Sequence, residues 1–183
     1  MRTFWVYCAA GALIGAGFAD FALVAYHFSR ATVVAAPWVP VFYAIAMVAA
    51  GAAALLLGRM LDRLGVGVVA GATLLAALST PLVFLGGFWS ALAGVVLWGV
   101  GMGTQDSVLK SALAAYVASE RRATGYGTFD TIRGVAWFAG SLLLGFLYDR
   151  SIMALVAVSI ALQLLAVPVL LAVMGRRATP PTG

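Results

Sequence analysis

Six apolar runs divide this sequence, and each is long enough to cross the hydrocarbon core of a bilayer as a helix. They cover residues 4–26, 40–57, 66–85, 88–117, 125–147 and 152–174. Only 9% of the residues are charged, whereas about a quarter are charged in soluble domains. We therefore predict an all-α integral membrane protein in which residues 1–175 form one domain of six transmembrane helices.

The two chain ends receive different predictions. The first apolar run is longer than the core of a secretory signal peptide and contains Asp20, so it predicts a retained helix. Residues 176–183 are polar and proline-rich, which predicts a disordered cytoplasmic tail.

The basic residues are divided unequally between the two sides that six spans define. One side holds Arg2, Arg59, Arg63, Arg121, Arg122, Arg176 and Arg177, and the other holds Arg30 and Arg150. The positive-inside rule places the richer side, with both termini, in the cytoplasm. Because these residues are scattered between apolar blocks, the net charge of +5 indicates membrane topology rather than nucleic-acid binding. We predict a bacterial plasma (inner) membrane location.

The stretch GRMLDRLG joins the second and third runs. Gly58 and Gly65 permit a tight reversal and close helix approach. Arg59 and Arg63 share one face of a helical turn, toward lipid phosphates. The Asp62 carboxylate can accept hydrogen bonds from a helix N-terminus or pair with an arginine. We predict a cytoplasmic loop with a conformational role, the alternative being that its arginines only set topology.

This stretch resembles the G-x-x-x-D-R-x-G motif of the major facilitator superfamily, which lies between the second and third helices of each six-helix half. Residues 99–117, 120–145 and 147–151 resemble the fourth helix, the next loop and the fifth helix of a C-terminal half. The likeness covers residues 2–174 and implies half of a secondary transporter fold that moves a small solute by alternating access. The loop is then implied to stabilise one conformation, with Asp62 contacting the fifth span or a partner half.

Transporters of this superfamily have two halves, and this chain carries one. Such halves are related by an axis along the membrane normal, so the resemblance implies a homodimer, assembly with a separate partner half, or a fragment of a full-length transporter. The alternative is a non-transporting protein, either a membrane scaffold or partner subunit or an inactive remnant. No motif distinguishes among sugars, drugs, ions and metabolites as the substrate.

Ionisable residues inside predicted spans are functional candidates, because a charge in the bilayer is costly. Asp20 lies in the outer part of the first span, and His27 follows seven residues later on nearly the same helical face. One interpretation is a proton- or cation-handling carboxylate, and the other is an aspartate that pairs with Arg30 or caps a broken helix. Gln105 and Asp106 of the fourth span complete the predicted cavity and proton-coupling group.

Four charges form a second candidate group near the cytoplasmic edge. Asp106 and Lys110 are four residues apart on the fourth span, and Asp130 and Arg133 are three apart on the fifth. Because both pairs lie at similar depth, we predict a salt-bridge network that closes the cytoplasmic side. The alternative is that the two basic side chains extend to lipid headgroups.

Small residues predict how the helices pack. Glycines recur at four-residue spacing in three runs: Gly11 and Gly15, Gly67 and Gly71, and Gly99 and Gly103. This spacing lets helix backbones approach closely in lipid. Pro81 and Pro168 fall inside runs and predict kinks. The resemblance implies that the first and fourth helices face the solute pathway, whereas the third and sixth lie outermost.

The pattern contains no catalytic or cofactor-binding constellation. The single histidine lies at the outer end of the first run, away from a serine in the core. The single cysteine, Cys8, excludes a disulfide framework or a cysteine metal cluster. We predict no enzyme activity, metal, cofactor or nucleic-acid partner. The predicted partners are the lipid bilayer, a small solute and, where the chain acts as a half, a second six-helix half that is a copy of itself or a separate chain.

Overall fold

A computed structural model describes residues 2–65 and 67–175, and these ranges contain helices and no strand. The helices are α1 (Arg2–Gly17), α2 (Phe21–Arg30), α3 (Val39–Leu64), α4 (Gly67–Ala77), α5 (Ser79–Phe84), α6 (Phe88–Gly103), α7 (Leu109–Leu113), α8 (Arg122–Arg150) and α9 (Ile152–Gly175). A π-helical turn, Thr104–Val108, joins α6 to α7. Short 3-10 turns cover Ala36–Trp38, Ala114–Tyr116 and Ser119–Arg121. The predicted tail, residues 176–183, lies outside the described residues.

Five helical segments of the described chain are long and apolar enough to cross a membrane: Arg2–Arg30, Ala36–Leu64, Gly67–Phe84, Ser119–Arg150 and Ile152–Val173. The predicted all-α class is confirmed, and the helices fit a membrane protein. The predicted fourth span is also helical, but its first helix, α6, has 16 residues before the π-helical turn begins. Its length as one regular helix was therefore overestimated.

The stretch GRMLDRLG is mostly helix, so its assignment to a loop was wrong. Arg, Met and Leu are good helix formers, and α3 continues through them to Leu64. It ends at Gly65, whose φ of 71° is a backbone conformation that glycine adopts without steric cost. Gly58 has open space where a side chain would lie, so the predicted close helix approach is absent there.

Two clusters of buried side chains mark the ends of the bundle. The base contains Tyr7, Leu113, Phe129, Leu170 and Val173, and the top contains Phe28, Phe42, Phe84, Tyr148 and Leu155. Successive runs pass from one cluster to the other. The interrupted fourth run also does so, because Phe88 packs on Phe42 at the top and Tyr116 packs on Tyr7 at the base. The interrupted fourth run therefore contacts both clusters, although it is not among the five segments long enough to cross a membrane as regular helices.

The first and fourth runs pack on different sets of helices. α1 packs on α8 and α9, whereas α6 packs on α3, α4 and α5, and α4 also contacts α9. The third span is the most buried of the five long segments, and the segments containing α3 and α8 are the least buried. The third span therefore packs on α6 and α9 within this chain, and the outermost position of the third and sixth spans in an assembled transporter stays a prediction.

Glycine provides the closest approaches between helices. Gly99 and Gly103 of α6 lie against the backbone of Ala46 and Ala50 on α3, where an added Cβ would collide with carbonyl oxygens. By contrast, Gly71 faces open space, so only part of the predicted glycine set mediates packing. Pro81 accompanies the short break between α4 and α5, whereas Pro168 lies within the continuous α9.

Candidate functional site

The first helical run is broken between α1 and α2, and distant side chains satisfy the carbonyls at the break. Ser159 Oγ and Gln163 Nε2 of α9 donate to the Gly17 carbonyl oxygen at 2.6 and 3.2 Å. Trp98 Nε1 of α6 donates to the Ala19 carbonyl oxygen at 2.7 Å. Non-helical backbone at membrane depth requires such protein partners, because lipid offers none. Side chains of α6 and α9 therefore stabilise the break by hydrogen bonds to its carbonyl oxygens.

Asp20 caps the helix that resumes after this break. Its Oδ1 accepts a hydrogen bond from the Leu23 backbone N–H at 2.8 Å, at the N-terminus of α2. This is the capping alternative of the sequence prediction. Asp20 does not pair with Arg30, and His27 instead lies with its Nδ1 3.0 Å from the Tyr148 hydroxyl. Asp20 and His27 thus have different partners, and a proton- or cation-handling role for Asp20 stays a prediction.

A cleft of about 420 Å³ opens beside the break. Its lining consists of Phe18, Asp20, Phe21, Ala22, Tyr43, Trp98, Met102, Gln105, Asp106, Arg133 and Trp137. All three residues predicted from the sequence to share a cavity, Asp20, Gln105 and Asp106, lie on this one surface. The contributing segments are the α1–α2 break, α3, α6 with its π-helical turn, and α8.

The four charges predicted to form a network pair between helices rather than along each helix. Lys110 Nζ lies 3.3 Å from Asp130 Oδ1, and Arg133 Nη2 lies 3.6 Å from Asp106 Oδ1. Arg133 Nη1 also lies 3.5 Å from Gln105 Oε1. The first pair ties α7 to α8, and the second ties the π-helical turn to α8 in the wall of the cleft. That these ion pairs close the cytoplasmic side of the protein stays a prediction.

A third ion pair lies at the top of the bundle and was not predicted. Arg30 Nη1 lies 2.8 Å from Asp149 Oδ1 and also donates to the Tyr26 hydroxyl at 2.8 Å. The guanidinium carbon is 5.7 Å from the centre of the Tyr148 ring. The pair joins the end of α2 to the end of α8.

The residues of the GRMLDRLG stretch make few contacts. Asp62 is exposed and has no hydrogen bond or ion pair with the described part of the chain. Arg59 donates to the Leu55 carbonyl oxygen of its own helix at 3.1 Å, and Arg63 is exposed. The expected contact of Asp62 with the fifth span of the same half is therefore absent, and contact with a partner half stays a prediction.

The two aspartates of the cleft each end a copy of one short sequence pattern, which the sequence analysis missed. The pattern G-x-G-x-x-D occurs as GAGFAD, ending at Asp20, and as GMGTQD, ending at Asp106, so the two aspartates are 86 positions apart. In both copies the regular α-helix ends at the second glycine, Gly17 or Gly103. A second pattern, G-x-x-x-D-R, occurs in GRMLDR and again in GFLYDR, which contains Asp149. Repetition at a fixed period indicates duplicated structural units.

Similar proteins occur in mycobacteria. An uncharacterized protein of Mycobacterium bovis and two uncharacterized proteins of Mycobacterium tuberculosis are each 39% identical to this chain over 177 residues. The aligned region covers 97% of this chain but 43% of each relative, so the chain spans less than half of their length. No family model matches the chain. No solved structure matches it.

Proposed function

We propose that this chain is a six-span half of a secondary transporter of the major facilitator type, and that it moves a small solute by alternating access through the cleft. The observation that carries the proposal is the interrupted first run, with Asp20 at its break and the cleft beside it. Transporters commonly build their midplane sites from discontinuous helices of this kind.

The internal repeat supports the same assignment. The two G-x-G-x-x-D copies are three traverses apart, so the first copy runs from base to top and the second from top to base. Packing follows the same exchange: α1 contacts the fifth and sixth runs, and α6 contacts the second and third. Inverted units of three helices, nested in each half, are a feature of this transporter class.

Exposed apolar faces and the length of the relatives support a second half. Large apolar side chains are exposed on α3 and α8, among them Val48, Leu55, Leu56, Val135, Phe138, Leu142 and Phe146. Since 177 aligned residues make up 43% of each relative, each relative has about 410 residues. That length accommodates another segment of similar size. We propose that α3 and α8 face this second half, whether it is a copy of the chain, a separate chain or part of a longer protein.

Charge placement supports a cytoplasmic base. Arg59 and Arg63 end α3 and Arg121 and Arg122 begin α8, and both of these helix ends lie at the base. The positive-inside rule then orients the bundle with its base in the cytoplasm of a bacterial cell.

Accessibility of the cleft from the two membrane sides tests the transport proposal. In a Cys8→Ala background, Met102→Cys places a single thiol in the cleft lining. We expect a membrane-impermeant methanethiosulfonate reagent to modify this thiol in right-side-out and in inverted vesicles, because an alternating-access site opens to each side in turn. Leu164→Cys, on the exposed face of α9, is the matched control and should stay unmodified in lipid.

Modification of Met102→Cys from one side alone, or from neither, would contradict alternating access and favour a scaffold or a remnant. Equal modification of Met102→Cys and Leu164→Cys would mean that the bundle is not packed in the membrane as proposed.

A further inference from the structure

The cleft has the chemistry of a site for an organic cation with an apolar body. This inference rests on the proposed function and adds the substrate class. We propose that the Asp20 carboxylate holds the positive charge of the solute, and that an aromatic wall beside it holds the body.

Among the ionised side chains that line the cleft, one negative charge has no positively charged partner. Asp20 and Asp106 each contribute −1 and Arg133 contributes +1, so the lining has a net charge of −1. Arg133 and Asp106 face each other at 3.6 Å and offset one another. The remaining charge belongs to Asp20, whose Oδ2 has no hydrogen bond or ion pair with the described residues. A carboxylate in this setting favours a cationic partner.

Aromatic side chains continue from Asp20 along the wall of the cleft. Phe18 stacks on Trp98 with ring centres 5.4 Å apart, and Phe21 packs on Trp98 and Tyr43 at 5.6 and 4.7 Å. Trp137 stands exposed at the same cleft. Aromatic faces attract cations and also bury apolar groups, and a cation–π contact strengthens when water is excluded. A volume near 420 Å³ is within the range of sites for small organic molecules.

Arg133 is the feature that could instead favour an anion, because its Nε is buried without a hydrogen-bond partner in the described structure. Two probes of the same shape and opposite charge, tetraphenylphosphonium and tetraphenylborate, separate the two cases. Binding of each radiolabelled probe is measured on the full chain in detergent micelles. An excess of unlabelled probe defines the saturable component and removes partitioning into detergent.

We expect saturable binding of the phosphonium and none of the borate. Asp20→Asn should weaken phosphonium binding at least about tenfold, or about 1.4 kcal/mol, while the helix cap is kept because asparagine caps as well as aspartate. Glu120→Gln removes one exposed carboxylate from the 3-10 turn Ser119–Arg121, away from the cleft, and should leave the affinity unchanged. Tyr43→Ala should weaken binding, and Tyr43→Phe should restore it.

Three results overturn the inference: borate binding as tight as phosphonium binding, wild-type affinity in Asp20→Asn, or no saturable phosphonium binding by folded protein. This assay needs no transport. Absence of cation binding together with two-sided access to Met102→Cys would refute the proposed substrate class but not the transport proposal. Cation binding together with one-sided access would refute the transport proposal but not the cation-binding site.

Discussion

Removing the side chains that satisfy the Gly17 carbonyl should destabilise the protein more than additively. Ser159 and Gln163 both donate to this oxygen, so either one alone leaves it a partner. Ser159→Ala should lower the free energy of unfolding by about 0.6–1 kcal/mol, the usual range for a hydrogen bond between membrane helices. It also removes the 2.9 Å contact between the Ser159 and Thr80 hydroxyls.

The double variant Ser159→Ala with Gln163→Leu removes both donors and leaves the Gly17 carbonyl oxygen unpaired in a buried setting. An unsatisfied buried polar group costs about 1–3 kcal/mol beyond the lost bonds. We therefore expect a total loss of about 2–5 kcal/mol and a coupling energy of about 1–3 kcal/mol between the two sites.

Reversible unfolding in mixed micelles, followed by circular dichroism and tryptophan fluorescence, measures these free energies. Ser111→Ala is the matched control, because Ser111 is exposed on α7, and it should change stability by less than about 0.5 kcal/mol. If the double variant is as stable as Ser111→Ala, or the two single effects add without coupling, the broken span does not depend on α9 for its hydrogen bonds.

Three further predictions concern packing, the charged end of α3 and the top ion pair. Gly103→Ala should prevent close packing of α6 on α3 and reduce the folded yield, whereas Gly71→Ala, with open space, should raise stability by up to about 1 kcal/mol; equal yields would refute this. Asp62→Asn should shift the balance between inward and outward conformers without loss of folding, and unchanged spin-label distances would show that the charge serves topology alone. Asp149→Asn should lower the stability only slightly, and less at high salt, because the Arg30 pair is exposed; a salt-independent loss in chemical unfolding would contradict it.

The helical runs were predictable because length and apolar composition decide them, whereas the break in the first run was only one of two alternatives for Asp20. Nothing local in Phe18-Ala19-Asp20 forbids a helix, since the segment has no proline or glycine. The break persists because Ser159 and Trp98, far away in sequence, supply its hydrogen bonds. Such dependence on distant segments leaves no signal in a single window.

Charged residues were located better than their partners were. Spacing along one helix identified Asp106, Lys110, Asp130 and Arg133, yet the ion pairs form between helices because α8 lies beside the π-helical turn and α7. Charges within GRMLDRLG suggested a loop, although only its final glycine ends the helix. The repeated G-x-G-x-x-D pattern was visible in the sequence and would have related Asp20 to Asp106.

The most direct test of the account is whether the two chain termini lie on the same side of the membrane. The run from Phe88 to Tyr116 is interrupted and, unlike the other five, is not long enough as one regular helix to cross a membrane. Five crossings would place the termini on opposite sides of the membrane, and six would place them on the same side. Epitope tags at each end, probed by protease and antibody in intact and in inverted vesicles, distinguish the two cases. We expect both tags to be reached only from the cytoplasmic side. Tags on opposite sides would contradict the six-span half and the cleft built from it.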